Sequence, residues 1–140
     1  MATKEQILHY AWKYQLYAEA EWTTTDGERL RVITPGVHNT DAGPDFFNAK
    51  VRLGDITWVG NVEIHARSSD WKRHGHDSNP AYDSVILHVV GEADMPIHRT
   101  NGTPIPQIVV HVPDRVARSI DWLLLRERAV PCIDRLSGLD

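Results

Sequence analysis

The chain has one cysteine, Cys132, so it can form no internal disulfide and holds no Cys-x-x-Cys zinc pair. Nothing around that thiol suggests a lowered pKa, and it reads as a packed residue rather than a nucleophile. Long apolar runs are also missing. Val85–Val90 is interrupted by His88 and Ile120–Leu125 by Asp121, both far short of a bilayer span. Met1–Leu8 lacks the basic head and apolar run of a signal peptide, so the expectation is a cytoplasmic protein without membrane contact. There is no excess of positive charge: 15 Lys and Arg stand against 19 Asp and Glu, a net charge of -4. That balance argues against a protein that coats nucleic acid by charge alone, but not against a nuclease, whose metal pocket is itself acidic. Neither a Gly-x-Ser-x-Gly elbow nor a phosphate-binding glycine loop is present.

What remains is an ordinary domain with unusual histidines. With 140 residues, 41% hydrophobic and 24% charged, the chain is long enough for a core and excludes disorder or a fibre. Without repeats or linkers it reads as one domain, 1–140. Of eight histidines, four (His65, His74, His76 and His88) lie between residues 65 and 88.

Thr3 and Gln6 form a capping-box pattern, and Ile7, Leu8, Ala11, Trp12 and Leu16 recur at helical spacing, which predicts a helix to about Ala20. Strands follow at Arg29–Thr34, Phe46–Leu53 and Ile56–Ala66, the last two joined by Gly54-Asp55 in a hairpin turn. Ser68–Asp83 is polar, with one helical turn near Asp70–Arg73. Ser84–Val90 reads as a central strand buried on both faces. Ile105–Val112 is a further strand starting at an edge. Pro113-Asp114 opens a last helix that reaches about Ala129 and is stopped by Pro131. The expected fold is α/β (α+β), a mixed sheet of about five strands flanked by helices in the order α-β-β-β-(α)-β-β-α.

Strand parity places Asn61, Glu63 and His65 on one face of their strand. A row of Asn, Glu and His does not line an ordinary core. Regular pairing through the Gly54-Asp55 turn sets Leu53 opposite Ile56, Asn48 opposite Asn61 and Phe46 opposite Glu63. It also puts Asn48, Lys50 and Arg52 on the Glu63 face. Asp45 then points to the other face unless the backbone bends near Pro44-Asp45. With that bend, Asp45 and Glu63 form a site for a divalent cation, Mg2+ or Mn2+ by preference for carboxylate oxygens, and His65 orients or deprotonates a water there. The plainer reading of His65 is a partner that orients Glu63. His74 and His76 read either as a solvated loop or as ligands. His88 is a satisfied core histidine or reaches the same pocket. Asp70 is a cap or a carboxylate serving His65 or His74.

Pro44-Asp45 and Glu63-Ile64-His65, in this element order, resemble the PD-(D/E)XK nuclease superfamily, with His65 where that superfamily carries lysine. The resemblance implies a restriction-endonuclease-like fold, metal binding by Asp45 and Glu63, and a first-helix acid at Glu5, Glu19 or Glu21. A second resemblance covers nearly the whole chain. Gly43-Pro44-Asp45-Phe46, Trp58 to His65, Ser68 to Trp71, His74-Gly75-His76 and Val85 to Val90 are similar to a bacterial family of unknown function. That likeness implies no established activity, and it implies that members extend past residue 140, making this chain an N-terminal part.

Three functions follow as expectations. The first is a metal-dependent phosphodiesterase or nuclease acting on nucleic acid through Asp45, Glu63 and His65. The second is a histidine-rich transition-metal hydrolase, Zn2+ being the alternative ion, with His65, His74 or His76, and His88 as ligands. The third is an inactive nuclease-like module that binds nucleic acid or protein.

Overall fold

The computed structural model describes residues 1–17 and 21–129. Helix α1 spans Lys4–Tyr14 and opens with the expected box: the Thr3 hydroxyl accepts from Gln6 N–H at 3.1 Å, and Gln6 Oε1 accepts from Thr3 N–H at 2.8 Å. It stops well before Ala20. Gln15 turns left-handed (φ 52, ψ 51), its side-chain amide donates to the Trp12 carbonyl at 2.7 Å, and Leu16 N–H closes on the Ala11 carbonyl at 2.9 Å. The last carbonyls are thereby satisfied without a glycine, so the apolar spacing carried on by Leu16 is not used.

The strands are β1 (Trp22–Thr23), β2 (Arg29–Thr34), β3 (Val37–His38), β4 (Phe46–Leu53), β5 (Ile56–Arg67), β6 (Val85–Glu92) and β7 (Gln107–Val109). They form one mixed sheet in the order β1-β2-β4-β5-β6-β7, with β3 paired to β4. The β1–β5 pairings are antiparallel, whereas β5, β6 and β7 run parallel. Among the described residues, seven strands replace the expected five because β1 and β3 are two-residue pieces in segments whose composition reads as connector and loop.

A parallel β5–β6 pair needs a crossover. Residues 68–84 supply it with helix α2 (Asp70–Arg73) and 3-10 turns at His76–Ser78 and Pro80–Tyr82. Helix α3 spans Asp114–Ala129 and starts at the expected place. Pro131, its expected stop, and Cys132 lie outside the described residues, as does Glu19.

Two clusters make the core. Leu8 and Trp12 of α1 join Phe46, Val62, Ile64, Leu87, Val89 and Ile108 in the larger, while Trp71 of α2 joins Val85, Ile97 and Ile105 in the smaller. Along β6 the side chains alternate between them: Leu87 and Val89 belong to the α1 cluster, whereas the His88 ring lies 5.3 Å from that of Trp71. The crossover therefore covers the sheet face that carries Glu63, His65 and His88.

The β4–β5 hairpin decides which groups meet. Pairing is regular from Leu53↔Ile56 to Ala49↔Gly60, then shifts so that Phe46 pairs with Val62. Phe47 and Asn48 together oppose Asn61, which is a bulge, and Asn48 sits at φ 57 with its N–H donating to Asn61 Oδ1 at 3.1 Å. The expected pairing of Phe46 with Glu63 is corrected, and so is the expected place of the bend. It lies at Phe47–Asn48 and not at Pro44-Asp45. Gly36 backs this irregularity, because a Cβ there would stand 2.6 Å from the Phe47 carbonyl oxygen.

Candidate metal centre

One extra residue in β4 inverts the parity of everything before it. Phe46 turns into the core against Val62, and Asp45 falls opposite Glu63 on the same face. Side-chain contacts fix the pair. Asp45 N–H donates to Glu63 Oε1 at 3.1 Å, and Ile64 N–H donates to Asp45 Oδ2 at 2.8 Å. Asn39 holds the incoming loop: its N–H donates to the Asp45 carbonyl at 2.8 Å, and its side-chain amide donates to the carbonyls of Ala42 and Pro44 at 3.0 and 2.9 Å.

Around Glu63 stand the histidines. Glu63 Oε2 lies 2.8 Å from His76 Nε2 and 3.3 Å from His65 Nε2. His65, His74 and His76 each offer a ring nitrogen, and these nitrogens all lie within 4.8 Å of one another. His65 and His76 are buried, while His74 is exposed at the mouth. His76 stacks on Tyr82 with ring centroids 3.6 Å apart, and its Nδ1 is buried without a hydrogen-bond partner among the described residues. Behind His65, its Nδ1 lies 2.7 Å from His88 Nε2, and His88 Nδ1 lies 2.9 Å from Gln107 Oε1.

The electrostatics follow from this crowding. Burial, and then the Asp45 charge beside it, pushes the Glu63 carboxyl up to about 10. Burial and then the neighbouring imidazoles press His65 down to about 2, and burial lowers His88 to about 4. His76 is lowered too, chiefly by burial. The His65, His74 and His76 ring nitrogens, with the Glu63 carboxyl beside them, form a donor set that could hold a metal ion. A cation there would take the place of the Glu63 proton.

The other sequence candidates separate. His88 is no ligand, because both its ring nitrogens are engaged by His65 and Gln107. Asp70 serves neither His65 nor His74; it binds Arg73 at 2.6 Å and accepts from Arg67 N–H at 3.3 Å. Asn61 is structural, since its Oδ1 accepts from Asn48 and its Nδ2 donates to Ser84 Oγ at 2.8 Å. Lys50 is exposed opposite Val59, four β5 positions and so about 13 Å from Glu63. Of the candidate first-helix acids, Glu21 pairs with Arg29 at 3.6 Å, whereas Glu5 lies 4.0 Å from His9.

His9 itself was not foreseen, yet its Nε2 lies 3.5 Å from Asp45 Oδ2. Its signal was the Glu5/His9 pair, one helical turn apart on α1. Gln107 was missed as well, and its sequence context offers no polar pattern that would mark it.

Among the described residues, no helix is long and apolar enough to cross a membrane. No curated protein and no solved structure matches the chain. A family of proteins of unknown function, DUF2851, matches residues 5–140, from the second residue of α1 through both sides of the histidine cluster, and the chain belongs to that family.

Proposed function

We propose that this protein is a metal-dependent hydrolase of phosphodiesters, with one divalent ion held by His65, His74, His76 and Glu63. The observation that carries the reading is the convergence of three imidazoles, one ring nitrogen of each lying within 4.8 Å of the others, with His65 and His76 both also reaching Glu63 Oε2. When bound, such an ion supplies Lewis acidity, lowering the pKa of a water and stabilising charge on a phosphoryl oxygen. His65 and His76 fix the ion from the buried side, and exposed His74 leaves the solvent side open to substrate. Asp45, held by Ile64 N–H and close to His9, is placed to orient a water beside the ion. Lys50 and Arg52 continue the Glu63 face into solvent, and a polyanion such as a nucleic acid is the substrate those cations suit.

The adjacency of Asp45 and Glu63 favours a second reading, in which these two carboxylates hold Mg2+ and the histidines are its surroundings. Metal content by mass spectrometry separates the two: a stoichiometric Zn2+ or Mn2+ supports the imidazole site, and its absence with Mg2+-dependent activity supports the carboxylate site. Activity is tested with an aryl phosphodiester and with single- and double-stranded DNA and RNA. No turnover of any of these with Zn2+, Mn2+ or Mg2+ overturns the hydrolase reading.

A further inference from the structure

We propose that Gln107 and His88 are positioning residues that fix the tautomer of His65, so that His65 Nε2 enters the site as a bare lone pair. The proposal rests on the reading of His65 as a metal ligand and adds the device that prepares it.

The direction of every hydrogen bond in the chain is forced from one end. The Met95 main-chain carbonyl can only accept, and it lies 3.0 Å from Gln107 Nε2. The amide nitrogen is therefore on that side, and Oε1 faces His88 Nδ1 at 2.9 Å. An amide oxygen accepts, so His88 Nδ1 carries the hydrogen. A neutral imidazole has a single N–H, which leaves His88 Nε2 as an acceptor. It lies 2.7 Å from His65 Nδ1, so His65 Nδ1 donates. His65 Nε2 is then without hydrogen, and it is the atom that faces Glu63 Oε2 at 3.3 Å.

The fold builds this chain across three parallel strands. Glu63 on β5 pairs with His88 on β6, and His88 pairs with Gln107 on β7, so the polar groups stand at one level of the sheet. All three members are sealed from water, with His88 at 0% exposure and both His65 and Gln107 at 2%. In such a place an alternative tautomer would set two acceptors or two donors against each other with no water to relieve them. A histidine ligand whose second nitrogen donates is held in its ring orientation and made a better base toward a metal.

The test is long-range 15N–1H correlation on the full chain, metal-free and labelled at histidine. His65 and His88 are both expected as the Nδ1–H tautomer. A Nε2–H tautomer at His65 overturns the proposal, and this measurement needs no variant. Gln107→Leu, which keeps the size and removes the acceptor, is expected to give mixed tautomers at His65 and about a 10–100-fold weaker affinity for Zn2+. Unchanged spectra and unchanged Zn2+ affinity in that variant would also overturn it. If the tautomers are as stated but the parent binds neither Zn2+ nor Mn2+, the metal-centre reading fails while the positioning chain stands.

Discussion

Asp45 faces Glu63 because Phe47 and Asn48 share a single partner, Asn61, on the neighbouring strand. Asn48 makes this possible by taking a left-handed conformation at φ 57. Asn tolerates that region and a β-branched residue does not, so Asn48→Val should lower stability by about 1–2 kcal/mol, and Asn48→Gly should lower it by less. Deleting Asn48 removes the extra residue, so Phe47 alone should pair with Asn61, the ladder should become regular, and Asp45 should still face Glu63. Urea unfolding checks the first pair of variants. Calorimetric titration with Mn2+ checks the deletion: affinity close to the parent's is expected, and its loss would refute this account of the register.

Gly36 is predicted to be intolerant of alanine. It sits at φ 90, and a Cβ would lie 2.6 Å from the Phe47 carbonyl oxygen and 3.0 Å from Ala49 N, both main-chain atoms. Gly36→Ala should cost about 1–3 kcal/mol and should also weaken metal binding, because relief of the contact pushes on the bulge. Gly102→Ala is the control. Its φ of 86 carries the same local strain, but nothing lies within 4 Å of the added carbon, so stability should fall without loss of metal affinity.

The stability of the metal-free protein should peak near pH 6.5. Glu63 is raised from 4.5 to about 10, so the folded state holds a proton that the unfolded chain has released, and stability falls as pH rises through that window. His65 and His88 are lowered from 6.5 to about 2 and about 4, so the unfolded chain takes up two protons as pH drops below 6.5 while the folded state takes up none until about 4. Below 6.5 the two histidines outweigh the one carboxyl, and above it the carboxyl acts alone. Melting temperatures in chelator from pH 5 to 9 test the shape. Glu63→Gln should flatten the alkaline limb while weakening metal binding, since Gln mimics the protonated acid but cannot replace the carboxylate.

Removing single imidazoles should separate binding from folding. His74 is exposed and meets His65 and His76 edge-on, with ring centroids 5.1 and 5.7 Å apart, so His74→Ala should largely keep the parent's melting temperature in chelator and lose affinity for Zn2+. His65→Ala should lose both, because it also leaves buried His88 without its donor. Equal Zn2+ affinity in the parent and in His74→Ala would count against His74 as a ligand.

Much of this was readable from residues. Period and capping gave α1 its start, Pro113-Asp114 the start of α3, and alternation the faces of β4 and β5. The polar row Asn61-Glu63-His65 singled out a strand face, and His74-Gly75-His76 the loop whose imidazoles the structure brings beside His65. Three things were not readable. A bulge depends on the φ of one asparagine, which no period reveals. The role of His88 depends on what stands beside it on β7, and parallel partners are distant in sequence. His9 reaches Asp45 only because α1 packs across the sheet, a matter of tertiary packing that helical spacing does not encode.

The bulge also divides β4 into two lengths that are out of phase. From Ala49 to Leu53 the odd-numbered residues pack into the core and the even-numbered ones meet solvent, whereas at Phe46 and Asp45 the order is reversed. A residue inserted or lost between Ala49 and the Gly54 turn would scramble the hairpin tip and leave the Asp45 end in place. The same change between Asp45 and Phe47 would do the opposite. The strand therefore behaves as two short cassettes joined at a phase boundary. The cation-bearing tip and the acidic end can each be rewritten without forcing a compensating change in the other.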